Sequence, residues 1–235
     1  MTVYPDMHNA FRLHVDKSTS LVGSVDFLPE EIDFWLNEAQ DRFIKERLSG
    51  NNYLQKKFDE TQKRIDDIRT LIVVSAKQSL VQSSLGSNVK YTFLPDLSSG
   101  NPYLYYLSAV VYDTLNNTLQ VGGQVKITEI GRYIKDTVNN PYMRRPLVHF
   151  YNEGSTAAIA IIYSDEFIPI SCTITYIKKP KQLIYSIPGT YQTNTCELAE
   201  HTHREIVVLA ASLAIENIES QRVKTFEQLN ASKIE

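Results

Sequence analysis

Residues 206–215, Ile-Val-Val-Leu-Ala-Ala-Ser-Leu-Ala-Ile, form the most strongly patterned stretch of the chain, with Ser212 as the single polar side chain. A helix with one solvent-facing side carries polar residues along that side, so a helix that is apolar nearly all round is buried from several directions. Thr202 and Glu205 precede the run with the spacing of a capping box, which predicts the helix start. This stretch therefore predicts a central packing helix.

The same region holds three residues of types that bind metals: Cys196, His201 and His203. Zinc accepts thiolate and imidazole ligands. The spacing of the three residues matches no zinc-finger pattern, and polar residues are expected at a helix start in any case. A helix entry with surface histidines is the preferred interpretation, and no metal or cofactor is predicted.

Periodic patterns in the first third of the chain predict three further helices. One covers residues 4–17, one begins at Pro29, and one covers residues 58–69. Pro29 suits the first position of a helix, and Glu30 and Glu31 complement the positive end of the helix dipole. An apolar stripe follows at helical spacing: Ile32, Trp35, Leu36, Ala39 and Phe43. Because this stripe and the C-terminal helix both need an apolar partner, we expect them to pack together.

The middle of the chain changes to a period of two residues, which is typical of β-strands. Residues 103–112 are apolar or aromatic at nearly every position, which predicts a strand covered on both faces. The pair Gly122-Gly123 predicts a bulge within a strand over residues 119–127, and residues 167–178 predict another strand. Alternation is also clean over residues 89–93.

These patterns predict an α+β fold in which N-terminal helices and a C-terminal helix pack together, with an antiparallel β region inserted between them. The expected parts are a helical part over residues 1–70, a mainly β region over residues 71–195, and a C-terminal helix over residues 196–235 that completes the helical part as one integrated unit. The residues expected at packing or subunit interfaces are Trp35, Phe43, Ile206, Leu209, Leu213 and Ile218.

The amino-acid composition argues against several classes of protein. The 235 residues carry a formal net charge of −3, which argues against a general nucleic-acid binder. Two cysteines exclude a disulfide-rich scaffold, no signal peptide is visible, and no apolar run approaches the ~20 residues of a membrane span. Tyrosine is abundant, with 14 residues. Its large ring with a polar hydroxyl suits assembly surfaces as well as partly hydrated cores.

The sequence contains no recognisable set of catalytic residues. Cys172 lies in a strand pattern and is expected to be a small core residue. The common nucleophile, phosphate-binding, dinucleotide-binding and metalloprotease motifs do not occur. Basic residues at Arg144-Arg145 and at Lys178–Lys181 lie close to tyrosines in the sequence. The preferred interpretation is that these residues are solvated loop ends or the polar rim of a protein interface. Contact with nucleic acid through the same loops is the alternative.

Three segments resemble virion structural proteins from the neck and tail of crAss-like bacteriophages. They are Phe-Leu-Pro-Glu-Glu-Ile-Asp-Phe-Trp-Leu-Asn-Glu-Ala-Gln-Asp-Arg-Phe at residues 27–43, Asn-Asn-Pro at 139–141 leading into Arg-Pro-Leu at 145–147, and His-Thr-His-Arg-Glu-Ile-Val at 201–207 continuing to Glu-Asn-Ile-Glu-Ser-Gln-Arg at 216–222. The resemblance implies a non-enzymatic ring protein of the head-to-tail connector, without cofactors.

The resemblance also implies its partners. They are further copies of the chain in a closed ring, expected to be a dodecamer, together with the portal protein and neighbouring tail ring or fibre proteins. Packaged DNA would pass through the ring without sequence-specific binding, and no membrane is involved. The expected location is the neck or tail of the virion, after assembly in the bacterial host cytoplasm. The alternatives are a soluble enzyme or binding module of unrecognised class, or a nucleic-acid-binding protein that uses its tyrosine-rich basic loops.

Overall fold

The computed structural model describes residues 5–19, 27–48, 62–129, 131, 145–164, 167–184 and 196–217. The chain divides into two compact units. The helical unit comprises residues 1–71 and 180–235, and the β unit comprises residues 72–179. The β unit is therefore an insertion in the sequence of the helical unit.

The described part of the helical unit contains four α-helices. They are α1 (Pro5–Thr19), α2 (Pro29–Leu48), α3 (Gln62–Ile68) and α4 (His203–Asn217). Helix α2 begins at Pro29 as predicted, and the Glu31 carboxylate accepts a hydrogen bond from the Leu28 N–H over 2.9 Å. Helix α4 packs against both α1 and α2, so the C-terminal helix returns to the N-terminal ones as the apolar patterns predict.

The start of α4 differs from the prediction. A 3₁₀ turn over Glu200–Thr202 precedes the helix, which begins at His203. The buried Thr202 hydroxyl donates to the Ala199 carbonyl over 2.7 Å, and the Glu205 carboxylate binds basic side chains from other helices. The predicted capping box is wrong, because the Thr202 hydroxyl bonds within the preceding turn and the Glu205 carboxylate is held by Arg47 and Lys63.

The described part of the β unit contains ten strands. They are β1 (Ile72–Val74), β2 (Gln78–Ser79), β3 (Val81–Gln82), β4 (Val89–Phe93), β5 (Tyr103–Tyr112), β6 (Thr118–Gln120), β7 (Gly123–Gln124), β8 (Leu147–Glu153), β9 (Thr156–Ile162) and β10 (Ser171–Lys178). Sheet A has the order β1-β10-β5-β6, with β2 also paired to β10, and sheet B has the order β3-β4-β9-β8-β7.

One apolar cluster joins the inner faces of the two sheets. From sheet A it takes Val111, Cys172, Ile174 and Tyr176, and from sheet B it takes Val148, Ile159 and Ile161. All of these side chains are buried, and they recur at alternate positions along their strands, as the two-residue period requires. The β unit is therefore a sandwich with its own core.

The glycine pair is not a bulge. Thr118–Gln120 pairs with Val110–Tyr112 in sheet A, and the chain then passes into sheet B, where Gly123–Gln124 pairs in parallel with β8. A Cβ atom on Gly122 would lie 3.1 Å from the Arg145 Cβ, which favours glycine at this crossing. The strand predicted over residues 119–127 is thus two strands in different sheets.

The predicted fold class is confirmed, since helices from both ends of the chain pack together and a largely antiparallel β region is inserted between them in the sequence. Strand β10 begins at Ser171 rather than at residue 167, because Pro169, which has no N–H to donate, lies just before it. Among the described residues, no helix combines the length and apolar character that crossing a membrane requires.

Candidate assembly surfaces

Helix α4 buries a stripe of small and branched side chains. The buried residues are Ile206, Val207, Ala210, Ala211, Ala214 and Ile215. Alanine at three of these positions lets the backbones of neighbouring helices approach closely, while the branched residues fill the space between them. The all-round apolar run predicted from the sequence thus has one fully buried side and one side that is partly open.

The residues predicted at interfaces divide between these environments. Phe43 and Ile206 are buried in the helical unit. Trp35, Leu209 and Leu213 are half-buried, and Ile218 lies outside the described residues. The half-buried group gives α2 and α4 apolar surface that the helical unit does not fully cover.

A network of charged side chains joins α2, α3 and the start of α4. Arg47 Nε donates to Asp67 Oδ2 over 2.8 Å, and Arg47 Nη2 donates to the Glu205 carboxylate. Lys63 Nζ lies 3.8 Å from Glu205 Oε1. The Arg47 guanidinium also lies over the Phe43 ring, 4.5 Å from its centroid. Because Asp67 is almost fully buried, this network is part of the structural core of the helical unit.

The three potential metal ligands turn towards different partners. Cys196 Sγ lies 3.5 Å from the Gln40 side-chain oxygen, and His201 Nε2 donates to Asp67 Oδ1 over 2.9 Å. His203 Nε2 donates to the Leu198 carbonyl over 3.0 Å. In the part of the chain that the structure describes, no group of three or more His, Cys, Asp or Glu side chains is arranged to hold a metal ion.

A segment after the β unit is held on α2 by amide side chains. Asn37 forms a paired contact with Leu183, donating to its carbonyl over 2.9 Å and accepting from its N–H over 2.7 Å. Gln40 Nε2 donates to the Lys181 carbonyl over 3.2 Å. These bonds explain why residues 180–184 belong to the helical unit, although the sequence pattern grouped them with the β region.

Exposed apolar side chains occur on both units. In the helical unit they include Phe34, which packs edge-on against Trp35 with ring centroids 5.1 Å apart. Four exposed carboxylates of α2 share the side of the helix that carries Phe34, by helical spacing: Glu30, Glu31, Glu38 and Asp41. An aromatic anchor within a charged rim is the usual composition of a protein-binding surface.

In the β unit, Phe93 and Leu115 are exposed. The sequence did not single out these two residues or Phe34. Single exposed apolar residues at strand ends and turns carry no periodic signal, so only the tertiary structure separates them from core residues.

Tyrosines line the interior and the outer faces of the sandwich. Tyr103 stacks on Phe150 with ring centroids 6.3 Å apart, and Tyr106 meets the same ring edge-on at 5.2 Å. Burial raises the pKa of Tyr106 to about 12, so its hydroxyl stays protonated. Cys172 lies in the same core, and burial raises the pKa of its thiol to about 12. A protonated buried thiol is a poor nucleophile, in agreement with the core role predicted for Cys172.

The basic positions singled out in the sequence are divided between the two units. Arg145 and Lys179 are exposed in the β unit, where Lys179 N donates to the Pro102 carbonyl. Lys181 is exposed in the helical unit and lies 3.7 Å from the Glu197 carboxylate. Arg144 lies outside the described residues.

The two units each bury apolar side chains, and both also expose apolar side chains to solvent. A family model described as phage tail ring protein 3/4, of crAss-like phages, matches residues 4–226. The chain therefore belongs to this family of phage tail structural proteins, which confirms the resemblance seen in its sequence. No curated protein matches the chain.

Proposed function

We propose that this chain is one subunit of a closed oligomeric ring, a dodecamer, in the connector that joins the phage portal to the tail. The observation that carries the proposal is the match of a tail ring family over residues 4–226, which includes both units of the fold. A role in the virion tail requires neither a cofactor nor catalysis, and the buried, protonated state of Cys172 supports a structural role for that residue.

A closed ring needs two different surfaces on each subunit, because each copy contacts one neighbour with one face and the next neighbour with another. We assign Phe43 and Ile206 to internal packing, since both are buried. Trp35, Leu209 and Leu213 are half-buried and are proposed to complete their burial against a neighbouring subunit. Apolar and aromatic side chains of this kind form the cores of subunit interfaces.

The proposed mechanism is mechanical. Rings stacked between the portal and the tail join the head to the tail and extend the channel through which packaged DNA leaves. The portal protein and neighbouring tail ring or fibre proteins are the expected partners, in the virion and during assembly in the host cytoplasm. A formal net charge of −3 suits a channel wall, because a strongly basic wall would bind DNA phosphates and slow ejection.

Size measurement on the purified full-length chain tests the proposal. Multi-angle light scattering gives the mass, and negative-stain electron microscopy gives the shape of the particles. We expect closed rings, and mass spectrometry of purified virions should detect the chain in the tail. A chain that stays monomeric at all concentrations and is absent from virions would contradict the proposal.

A DNA-binding assay separates the ring proposal from the nucleic-acid-binding alternative. Fluorescence anisotropy with two unrelated duplexes, at low and physiological salt, measures affinity and sequence preference. A channel subunit should bind both duplexes weakly and equally. Tight binding that falls steeply with salt would favour a nucleic-acid-binding protein that uses its basic loops.

A further inference from the structure

Sheet A has two edges that are open in the described part of the β unit. Its strand order, β1-β10-β5-β6, puts β1 at one edge and β6 at the other, and β2 also pairs with β10. Neither β1 nor β6 pairs with a second strand among the described residues. Val74 of β1 is 63% exposed, and Thr118 and Gln120 of β6 are also exposed, so both edges are in contact with solvent.

The backbone of β1 directs hydrogen-bonding groups away from the sheet. The Ser75 N–H donates to the Ile174 carbonyl over 2.8 Å, and Val73 holds the equivalent position two residues earlier in the same register. Because the residues of an antiparallel strand bond alternately to one side and to the other, Ile72 and Val74 direct their N–H and C=O groups outwards. A strand edge of this kind can bind another extended strand.

The backbone of β6 does the same at the opposite edge. The Val121 N–H donates to the Ala109 carbonyl over 3.0 Å, and Leu119 is the next position that bonds to β5. Thr118 and Gln120 are the alternate positions, so their N–H and C=O groups point away from β5. Each edge therefore offers two residues whose backbone groups face away from the sheet.

The two edges also match in the orientation of their side chains. Val73 and Leu119 pack against the core between the sheets, so their neighbours along both strands point to the outer face. The residues that can bond to a further strand are thus outer-face residues at both edges. If the two edges pair, outer side chains meet outer ones, and Val73 meets Leu119 on the core side.

Strand direction allows the same pairing. Successive strands in the order β1-β10-β5-β6 are antiparallel, so β6 runs opposite to β1. A rotation about a ring axis that lies roughly along the strands brings the β6 edge of one copy beside the β1 edge of its neighbour without reversing either strand. The ladder between copies is then antiparallel, like every pairing within sheet A.

The heights of the two edges along the sheet determine the tilt of the strands in such a ring. Strand β6 lies level with Cys172 of β10, and β1 is centred on Tyr176, four residues further along. This is a stagger of about 13 Å over a sheet that is four strands, or about 19 Å, wide. The two values correspond to a strand tilt of about 35° from the ring axis, which is typical of closed β-barrels.

We propose that β6 of one copy pairs with β1 of the next copy, so that sheet A continues from subunit to subunit around the ring. Thr118 then lies opposite Val74 of the next copy, and Gln120 lies opposite its Ile72. This inference rests on the proposed ring function and names a contact between copies. A head-to-tail contact needs two unlike and complementary surfaces on each chain. The two edges are complementary in backbone groups, in strand direction and in the face to which their side chains point.

Proline substitution tests the contact, because it removes an outward N–H without removing a bond inside the subunit. Val74→Pro blocks the β1 edge and Gln120→Pro blocks the β6 edge, and proline is tolerated where the N–H of an edge strand faces solvent. Analytical ultracentrifugation of the full-length variants should show rings only at concentrations at least about tenfold above those at which the parent chain assembles, since backbone bonds of each contact are lost.

Val74→Thr and Gln120→Thr are the matched controls, because they change the same side chains and keep the N–H groups. Both should assemble like the parent chain, and circular dichroism checks that all four variants retain the fold. Normal ring formation by either proline variant would overturn the inference and leave the ring function intact. Loss of rings in the threonine variants would also overturn it, because side chains rather than backbone bonds would then carry the contact.

Hydrogen exchange reads the same backbone groups in the unmodified chain. Mass spectrometry compares the parent chain above and below its assembly concentration. The amides of Ile72, Val74, Thr118 and Gln120 should exchange more slowly in the rings, because they become hydrogen-bonded between copies. Rings in which these amides exchange as fast as in the free chain would contradict the proposed pairing.

Cross-linking gives a readout that does not require rings to form in solution. A chain carrying Val74→Cys and Thr118→Cys, with Cys196→Ser to remove the partly exposed native thiol, is treated with a short bis-maleimide in purified particles. We expect a ladder of covalent oligomers from this chain and none when only one of the two new cysteines is present. Particles without a ladder, or with cross-links to another tail protein, would overturn the inference. A parent chain absent from particles would instead contradict the ring function, and with it this inference.

Discussion

Arg47 and Asp67 form an ion pair of 2.8 Å between α2 and α3, with side chains only 12% and 2% exposed. A charge removed from such a pair leaves the other charge buried without compensation, which typically costs about 3–5 kcal/mol. Glu205 and His201 contact the same pair, so the network links three helical segments through one guanidinium and one carboxylate.

The first prediction concerns this ion pair. Asp67→Ala should lower the free energy of unfolding by about 3 kcal/mol, because Arg47 loses its buried partner. Urea denaturation followed by circular dichroism measures the change. The matched control is Glu46→Ala, which removes the exposed Arg42–Glu46 pair and should cost less than about 1 kcal/mol. Equal losses in the two variants would mean that the network contributes no more than a surface pair.

The second prediction concerns pH. Burial lowers the pKa of His8 in α1 below its ordinary value, although a hydrogen bond and the charge of Asp33 partly offset this effect and Arg12 adds to it. The folded chain therefore binds a proton less readily than the unfolded chain, so stability is full above about pH 6.5 and falls as the pH drops towards the folded pKa. Urea denaturation between about pH 5 and 7.5 should show a smaller decline for His8→Gln than for the parent chain. Identical slopes would contradict the assignment to His8.

The third prediction concerns the packing of α4. Ala210 is fully buried, so Ala210→Leu should lower the free energy of unfolding by about 1–3 kcal/mol through overpacking. Glu216→Leu adds a leucine to an exposed position of the same helix and serves as the control. Thermal denaturation should shift strongly for the first variant and little for the second. A small shift for Ala210→Leu would mean that the helix has room to move.

The fourth prediction tests whether a glycine is required because of its backbone conformation or because a larger side chain would not fit. Gly154 has a φ of 63°, and a Cβ atom there would meet no atom within 4 Å. Gly154→Ala should therefore cost about 1–2 kcal/mol through backbone strain alone. Gly123 has equal space but no positive φ, so Gly123→Ala should change stability by less than about 0.5 kcal/mol. A neutral Gly154→Ala would show that the hairpin turn can change conformation.

The fifth prediction concerns the two free thiols. Cys172 is buried with a pKa of about 12, and burial also raises the pKa of the partly exposed Cys196 to about 11. A thiol reagent at pH 8 should label Cys196 slowly and leave Cys172 unlabelled until the chain unfolds. Cys196→Ser isolates the behaviour of Cys172. Rapid labelling of this variant under native conditions would contradict the described core.

The sequence predicted the elements whose signals are local. Pro29 with its following acidic residues marked the start of α2, and the apolar run from Ile206 marked α4, because capping and amphipathic periodicity act over a few residues. The inserted β region was also visible, since its two-residue period differs from that of the helices on either side.

Long-range partners could not be predicted in the same way. Arg47 lies 158 residues from Glu205, and His201 lies 134 residues from Asp67, so no spacing rule links them. Without these partners, Thr202 and Glu205 resembled a capping box. The crossing at Gly122 between two sheets likewise depends on strand pairings that a local pattern does not encode.

The insertion of the β unit has a consequence for how such chains can vary. Its first and last strands are antiparallel neighbours, with Ile72 opposite Ile177, and paired residues of this kind have Cα atoms only about 5 Å apart. The chain therefore leaves and re-enters the helical unit at nearly the same point. We therefore expect that a short glycine linker, or a different β-sandwich, can replace the β unit without stretching the helices that flank it.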